Sequence, residues 1–296
     1  MPLWTPAQIT TALWIDFSDS STLFNATSGG SVVTNGVGIA RAEDKSGNSR
    51  HFTQSTSGAR PAWTSGVQNS LGVARFDGTD DRMSVPSSTA IFNFLHASQG
   101  SVFWVAKVGN SSNPNALLPV CGNSGGFSPT RIGFANLIDD RASVPANNRF
   151  GAQTYVDNNA VITLLGDDKF TPNTFGLAAV VLDNTNVVAA SRGSVFVNGS
   201  DSGIVSSTST AATNSNASFD FFIGDYGTST FFLLGDFCEL VILSSLATLQ
   251  TRQLTEGYLA WKWGLQGNLP SEHPYKNGAP RYGEGRRQRY AGGYGL

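Results

Sequence analysis

Carboxylates are the side chains in this sequence that could do chemistry, and their spacing argues against the hydrolysis of glycosidic bonds. Such hydrolysis needs two carboxyl groups that face each other across the bond, about 5 Å apart in enzymes that retain configuration. The nearest pair of acids on one predicted strand is Asp236 and Glu239. Because side chains alternate between the two faces of a strand, this odd spacing predicts that the two carboxylates point to opposite faces. We therefore predict that the protein is not an enzyme.

Histidine chemistry has equally little to start from. The three histidines are His51, His96 and His273, and no G-x-S-x-G motif accompanies them. His51 lies in a turn-rich stretch and His273 precedes a proline. We expect each of them to lie at the surface or to cap backbone groups, and not to act as a catalytic base.

Aspartates are concentrated in short loop-like stretches, which suggests a cation. The cluster DGTDDR offers hard oxygen ligands of the kind that calcium prefers. The same residues are typical of tight turns, where an aspartate accepts hydrogen bonds from its own backbone. Both interpretations stay open, and calcium is the one cofactor that the sequence suggests. The candidates are Asp77, Asp80 and Asp81, with Asp16, Asp19, Asp139 and Asp140 as further acids in similar settings.

Exposed aromatic residues beside amides would be needed to bind a glycan at a shallow rim. Several aromatic residues lie in turn-rich, polar contexts, although nothing in the sequence shows that any two of them meet. The candidates for a glycan rim are Trp63, Asn123, Phe127, Tyr155 and Tyr226.

Composition describes a globular, turn-rich chain of low charge. Of the 296 residues only 14% are charged, and the net charge of −2 predicts no general affinity for nucleic acid or for an anionic membrane. No apolar run reaches 18 residues, and the first residues lack the pattern of a signal peptide, so we expect a protein made in a cytoplasm. Cys121 and Cys238 lie far apart in sequence, and two buried free thiols or one disulfide are both open.

Short β-type segments separated by turn residues make up most of the chain. Residues 31–36, 73–78, 101–109 and 219–227 are examples. The apolar run 174–183 is typical of a strand buried on both faces. In the stretch that follows, Asn198-Gly199 is a strong hairpin signal, because both central positions of that turn need a positive φ. This pattern favours an all-β sandwich.

One amphipathic helix interrupts this pattern near the C-terminus. Leu254, Tyr258, Trp261 and Leu265 recur at helical spacing, which predicts a helix over about 248–263. Its N-cap would be Thr248 and its stop Gly264. We expect the aromatic face to pack on the sandwich, with ligand stacking by Trp261 or Trp263 as the alternative.

The last 22 residues form a segment of different character. From residue 275 onward the chain carries five basic residues and one acidic one, a local charge of +4, on a glycine- and proline-rich backbone. Tyrosine and arginine are enriched at binding hot spots. We predict a docking arm that orders on a partner, built from Tyr275, Arg281, Tyr282, Arg286, Arg287, Arg289, Tyr290 and Tyr294.

Four stretches in order carry a resemblance to a known family. They are 13–23 (LWIDFSDSSTL), 43–54 (EDKSGNSRHFTQ), 60–86 and 239–275. Together they resemble the LamG-like jelly-roll domains of the concanavalin A-like lectin/glucanase superfamily, which occur in bacteriophage virion proteins and large bacterial surface proteins. The resemblance implies an all-β jelly-roll sandwich over 1–274, followed by the arm 275–296. The alternating-acid motif of the glucanases in this superfamily is missing from the chain.

The resemblance leaves two functions open, since one fold hosts many activities. The first is a non-enzymatic bacteriophage virion protein, a capsid decoration or a tail or fibre component. It would be located in the virion, anchored by the arm to other virion proteins, and part of a homo-oligomer or symmetric assembly. The alternative is a carbohydrate-binding lectin or adhesion module that recognises host or environmental glycan. Neither function predicts membrane insertion or nucleic-acid binding.

Overall fold

The described strands form two antiparallel sheets that pack face to face. A computed structural model describes residues 2–109, 117–125, 131–139, 149–156, 160–203, 214–227 and 231–283. In what we call the back sheet, the strand order is β15-β14-β13-β8-β17-β6-β5, with β1 also beside β17. In the front sheet the order is β12-β11-β10-β9-β16-β7-β4-β3-β2.

The back sheet contains β1 (Leu13–Asp16), β5 (Ala62–Gln68), β6 (Leu71–Asp77), β8 (Gln99–Val108), β13 (Phe175–Asp183), β14 (Gly193–Val197), β15 (Ser200–Asp201) and β17 (Leu234–Leu243). The front sheet contains β2 (Leu23–Phe24), β3 (Arg41–Ala42), β4 (Phe52–Thr53), β7 (Met83–Val85), β9 (Leu117–Gly122), β10 (Gly133–Asp139), β11 (Arg149–Val156), β12 (Ala160–Lys169) and β16 (Phe221–Ile223). The described helices are α1 (Phe94–Ala97) and α2 (Leu249–Lys262), besides short 3₁₀ turns.

Alternation along the strands builds two apolar layers, one on each face of the back sheet. In β13, Ala178 and Val180 enter the core between the sheets, whereas Leu177 and Ala179 enter a second layer beneath α2. This strand is therefore buried on both faces, as its apolar run predicts. Burial of each large side chain contributes roughly 1.5–3 kcal/mol. The largest side chains between the sheets are Phe17, Phe52, Phe76, Phe92, Trp104, Phe134, Phe170 and Phe221.

The predicted helix exists, but its buried face is displaced from the prediction. The Thr248 hydroxyl accepts a hydrogen bond from the Thr251 amide at 3.1 Å, and Gly264 has φ +69° after the last turn. The stripe that packs on the back sheet contains Leu259, Ala260 and Trp263. Trp261 is half-buried and lies outside this stripe, because the stripe is centred roughly half a turn around the helix from the predicted aromatic face.

Most other local predictions are confirmed, with one exception. Asn198 and Gly199 have φ values of 51° and 81° and join β14 to β15 as a hairpin. Both cysteines are buried and free. Residues 31–36, predicted as a strand, form a loop that makes a single bridge between Val32 and Phe24. Among the helices in the described part of the chain, none is long and apolar enough to cross a lipid bilayer.

The first residues of the predicted arm pack on the body of the same chain. Leu3 and Arg281 form a β-bridge, and the Trp4 amide donates to the Pro280 carbonyl at 2.9 Å. The Trp261 indole donates to the Tyr275 carbonyl at 2.7 Å. Tyr282 is half-exposed beside this contact. The remaining arm residues, Arg286, Arg287, Arg289, Tyr290 and Tyr294, lie outside the described residues.

Candidate functional site

Three of the four stretches that carry the family resemblance, 13–23, 43–54 and 239–275, meet in one buried polar network. Its centre is the Glu239 carboxylate, which is completely removed from solvent. It accepts hydrogen bonds from the Trp14 indole at 2.8 Å, the Trp263 indole at 2.8 Å and the Tyr258 hydroxyl at 2.9 Å. The Lys262 ammonium lies 2.7 Å from its second oxygen. Side chains from β1, β17 and α2 thus converge on one carboxylate.

Two further acids extend this network and neutralise its cations. Lys262 also lies 2.7 Å from Asp16, and Lys45 bridges Asp16 at 3.0 Å and Asp19 at 2.7 Å. Burial opposes ionisation of Asp16, but the charges of Lys262 and Lys45 outweigh it and hold its pKa below the usual range. Burial and the nearby Asp16 charge raise the pKa of Glu239. Because Lys262 and Lys45 pair with these carboxylates, the network holds α2 against the sheet. The same ion pairs mean that Asp16 and Asp19 are not free to ligate calcium.

The predicted opposition of Asp236 and Glu239 is wrong. The pairing of β17 with β8 shifts between Phe237 and Glu239, so the strand contains a bulge at Cys238. A bulge inserts one extra residue and changes the alternation that follows. Both carboxylates therefore lie on the outer face of the back sheet. They serve separate partners, because Asp236 pairs with Arg75 at 2.7 Å and with Lys107.

The calcium candidates Asp77, Asp80 and Asp81 do come together. One carboxylate oxygen from each lies within 4.8 Å of the others. The same acids perform turn chemistry, since Asp77 accepts from the Thr79 amide at 2.8 Å and Asp81 accepts from the Asp77 amide at 3.0 Å. Burial, together with the charges of Asp77 and Asp80, raises the pKa of Asp81 to about 6. Their oxygens fit a hard cation, while the side chains of Asp139 and Asp140 lie outside the described residues.

Three of the five residues predicted as a glycan rim have side chains that the structure describes, and these three do not form an exposed rim. Asn123 and Tyr226 are buried, and Trp63 packs against the core while its indole donates to the Phe17 carbonyl at 2.9 Å. Tyr226 is covered because the chain after β16 folds back and places its ring on Ala135 and Leu137. The side chains of Phe127 and Tyr155 lie outside the described residues.

The histidines occupy three different environments. His51 is half-buried and its Nδ1 accepts from the Asp44 amide at 3.0 Å, which is a capping role as predicted. His273 is buried against Glu256 at 3.3 Å, and its Nδ1 accepts from the Tyr275 amide at 3.2 Å, which is the predicted capping role. His96 is fully buried, and burial lowers its pKa.

An open polar row crosses the outer face of the front sheet. Strand register aligns Phe24 with Arg41, Arg41 with Thr53, Thr53 with Ser84, and Ser84 with Phe222. All five are half-buried, and their chain neighbours point into the core. At the usual strand spacing the row is roughly 19 Å long. We call these five residues the front row.

Each aromatic end of the front row carries a stacked guanidinium. The Arg41 guanidinium lies 4.1 Å from the centre of the Phe24 ring, and that of Arg82 lies 5.4 Å from the Phe222 ring. Arg82 also pairs at 2.9 Å with Asp225, in the segment that follows β16. This ion pair marks the border between the open part of the face and the part that Tyr226 covers.

A concave pocket of about 310 Å³ adjoins the Arg41 end of the row. Arg41 and Thr53 belong to both the row and the pocket, so the two are continuous. The loop between β3 and β4 supplies Arg50 and His51 to one wall, and Pro86 closes another. We call this the loop pocket. Volumes of this size are typical of sites that hold part of a small ligand.

A second groove, of about 340 Å³, lies on the opposite side of the molecule. It is lined by Trp4, Tyr258, Trp261 and Pro280, and the Trp4 and Tyr258 rings pack edge to face with centres 6.0 Å apart. This groove contains Trp261, the residue whose ligand stacking was the alternative prediction. Its polar lining is sparse, so the front row is the better candidate for a hydroxylated ligand.

Sequence reasoning missed the front row, and the reason is the shortness of its strands. β2, β3 and β4 have two residues each, and β7 and β16 have three. Alternation over two or three residues is too short to be read as a strand pattern. The one usable signal is that each of these pairs or triplets places a buried apolar residue next to a polar or aromatic one.

Comparisons with solved structures agree with this fold. No protein-family model matches the chain, and no curated protein does. Domain 4 of AbnA, a GH43 extracellular arabinanase from Geobacillus stearothermophilus in complex with arabinotriose, matches with a TM-score of 0.51 and 13% identity, over 82% of this chain and 96% of that one. The CBM40 of the Ruminococcus gnavus IT-sialidase bound to α2,3 sialyllactose matches with a TM-score of 0.43 and 11% identity, over 63% of this chain and 95% of that one.

The similarity to the arabinanase domain and the two packed sheets show the fold. The chain is an all-β jelly-roll sandwich, with one substantial helix among its described residues. Identity this low shows the fold alone, and the function has to be argued from the site.

Proposed function

We propose that the protein is a carbohydrate-binding module whose contact surface is the front row. The single observation that carries this proposal is the alignment of Phe24, Arg41, Thr53, Ser84 and Phe222 across five neighbouring strands. The row lies on sheet strands, which hold side chains more rigidly than loops do.

The chemistry of the row matches that of a sugar. A sugar ring presents apolar C–H groups on its faces and hydroxyls at its edges. The rings of Phe24 and Phe222 offer apolar contact, while Thr53 and Ser84 offer hydroxyls that both donate and accept hydrogen bonds. Arg41 adds donors that are held in place by the Glu43 carboxylate at 3.2 Å. Binding sites for small ligands combine apolar surface with a few fixed polar groups in this way.

The structural similarity supports the proposal. The arabinanase domain that shares this fold over most of both chains is described in complex with arabinotriose. A linear oligosaccharide of that kind would suit a row that crosses several strands.

We propose binding without hydrolysis. Two carboxylates contact the arginines that stack on the aromatic ends of the front row, and both are therefore ion-paired: Glu43 with Arg41 and Asp225 with Arg82. A nucleophile and a general acid would have to face each other across a cleft. Incubation with each bound oligosaccharide, followed by chromatography, should return the oligosaccharide unchanged.

A glycan microarray tests the proposal directly. We expect the purified chain to bind a defined set of glycans, and Ser84→Arg to abolish that binding because the long side chain lies across the middle of the row. Ser244→Arg is the matched control, since Ser244 is exposed beyond the end of β17 in the back sheet. If the folded chain binds no glycan on the array, the proposal is rejected.

Placement in a bacteriophage virion stays a prediction from the sequence, together with its protein partners. It is compatible with glycan binding, since a virion protein can also contact host sugars. Co-sedimentation with particles stripped of accessory proteins would test it, with the full chain compared against a chain that ends at His273.

A further inference from the structure

The loop pocket has the charge of an anion-binding site. Its lining includes the donors of Arg41, Arg50 and His51 beside the polar groups of Asn48 and Thr53, and no carboxylate is among its lining residues. The apolar part of the lining comes from Val85, Pro86 and Ile91. Two guanidinium groups in a lining without a carboxylate favour an anion, because arginine binds carboxylates through charge-assisted hydrogen bonds.

We propose that the loop pocket binds the carboxylate of an acidic sugar, while the front row holds the neutral remainder of the glycan. This inference rests on the proposed function and specifies its substrate class. Because Arg41 and Thr53 belong to both surfaces, one oligosaccharide would contact both at once.

His51 is held in the tautomer that donates into the pocket. Its Nδ1 accepts a hydrogen bond from the Asp44 backbone amide at 3.0 Å. In the neutral ring the hydrogen must therefore be on Nε2. Asp44 itself is buried, and its carboxylate accepts from the amides of Trp14, Ser46 and Arg50, so it does not compete for the histidine.

Arg50 is positioned with part of its guanidinium available. Its Nη1 donates to the Ala12 carbonyl at 2.8 Å, and the group lies 5.6 Å from the centre of the Phe92 ring. Within the described residues its other two nitrogens have no protein acceptor. Guanidinium groups bind carboxylates by paired, charge-assisted hydrogen bonds, which favours an arginine fixed in this way.

The local charge balance is positive. Arg41 is partly neutralised, because its Nε pairs with Glu43 at 3.2 Å and its Nη1 donates to the Ala26 carbonyl at 3.4 Å. Glu43 is the one carboxylate in contact with either arginine side chain among the described residues. Two guanidinium groups against one carboxylate leave a net positive site, which an anionic ligand would neutralise.

Paired probes measure the contribution of the carboxylate. Sialyllactose would be titrated against lactose, and trigalacturonate against galactotriose, so that each pair compares an acidic glycan with a neutral one. We expect at least one acidic probe to bind about tenfold more tightly than its neutral partner, as a charge-assisted hydrogen bond would give. That preference should weaken as sodium chloride is raised, because salt screens partly exposed charges.

Substitutions of Arg50 test whether the carboxylate of the glycan binds in the loop pocket. Arg50→Gln should lower the affinity for the preferred acidic probe by about tenfold, and Arg50→Lys should restore part of it. Arg281→Gln removes the same charge on the helix-bearing side and should bind as the wild type does. Thermal unfolding of each variant shows whether it is folded.

The outcomes separate this inference from the function on which it rests. Equal binding of both members of every pair, or preference for the neutral member, overturns the acidic-sugar inference and leaves carbohydrate binding standing. Affinity that is unchanged in folded Arg50→Gln overturns the placement in the loop pocket. No binding of any glycan, on the array or in titration, overturns both.

Discussion

Glu239 is a charged residue placed where no solvent reaches it. Four donors, from Trp14, Tyr258, Trp263 and Lys262, surround its two oxygens. A buried charge is tolerated only when its partners compensate for the lost hydration. Conversion to an amide would remove the charge and direct N–H hydrogens at groups that are themselves donors.

We predict that Glu239→Gln lowers the free energy of unfolding by about 3–5 kcal/mol, the usual cost of breaking a buried ion pair. Urea unfolding followed by tryptophan fluorescence measures it. Glu272→Gln, at an exposed position, is the matched control and should change stability little. A loss below 1 kcal/mol for Glu239→Gln would show that the network does not fasten the helix.

Asp81 makes the free energy of unfolding depend on pH, and the direction is opposite to that caused by most acids. Its pKa in the folded protein is raised to about 6, above the usual 3.8, by burial and by the Asp77 and Asp80 charges. Between pH 4 and 6 the folded chain therefore holds a proton that the unfolded chain has lost. The free energy of unfolding falls as pH rises through this window, by about 2–3 kcal/mol.

Asp81→Asn should remove this dependence while keeping an oxygen for the Asp77 amide. We expect the variant to be more stable than the wild type by about 2 kcal/mol at pH 7 and equal to it at pH 4. Thermal melts across this range measure the difference, with exposed Asp201→Asn as the control. A variant less stable than the wild type at pH 7 would contradict the assignment.

Calcium at Asp77, Asp80 and Asp81 stays a prediction from the sequence. A bound cation would replace the mutual repulsion of these carboxylates by attraction and stabilise the folded state. We expect 1 mM calcium to raise the melting temperature of the wild type at pH 7 and to leave Asp81→Asn less affected. Equal melting temperatures with calcium and with a chelator would show that the acids serve the turn alone.

At the scale of elements, helix α2 and the segment after it act as one unit. Gly257 lies in the helix interior, where alanine normally is about 1 kcal/mol more favourable. Tyr275 occupies the space beside it, so a Cβ at Gly257 would lie 2.7 Å from atoms of the tyrosine ring. The glycine therefore allows a close approach that a better helix former would prevent.

We predict that Gly257→Ala lowers stability by about 1–2 kcal/mol despite its helix propensity, because the tyrosine must move. In a Tyr275→Gly background, which removes the Cβ as well as the ring that the new Cβ would meet, the same substitution should become stabilising. A double-mutant cycle by urea unfolding measures this reversal of sign. The same effect of Gly257→Ala in both backgrounds would refute the close approach.

The same elements show what could be predicted from the sequence. The helix, its Thr248 cap and the Asn198-Gly199 hairpin follow from local chemistry, and all three are confirmed. The bulge at Cys238 and the side of α2 that packs on the sheet could not be predicted. Both depend on how two secondary-structure elements pack against each other, which no short sequence pattern encodes.

At the scale of the whole molecule, the two sheets have different outer faces. The outer face of the back sheet is covered by α2 and sealed by the Glu239 network. In the part of the chain that the structure describes, no helix packs on the row of the front sheet that runs from Phe24 to Phe222. The resemblance predicts the jelly roll correctly. Its motif residues, however, build the covered outer face of the back sheet. The outer face of the front sheet comes from short strands that carry no recognisable motif.

That difference explains why the predicted rim was misplaced. Asn123 and Tyr226 have the residue types of a binding site, yet both are buried: Asn123 accepts from the Phe134 amide, and Tyr226 packs on Ala135 and Leu137. Residue type indicates the chemistry that a side chain can do, whereas exposure depends on contacts between segments distant in sequence. The front row could be recognised only once the register of five strands was known.

The measurement that tests the account most directly is calorimetric titration of a glycan selected on the array into the wild type, Ser84→Arg and Ser244→Arg. The account predicts one binding site per chain, retained in Ser244→Arg and lost in Ser84→Arg, with all three proteins melting at similar temperatures. Binding by folded Ser84→Arg as tight as that of the wild type would contradict it, because the sugar would then lie on another surface.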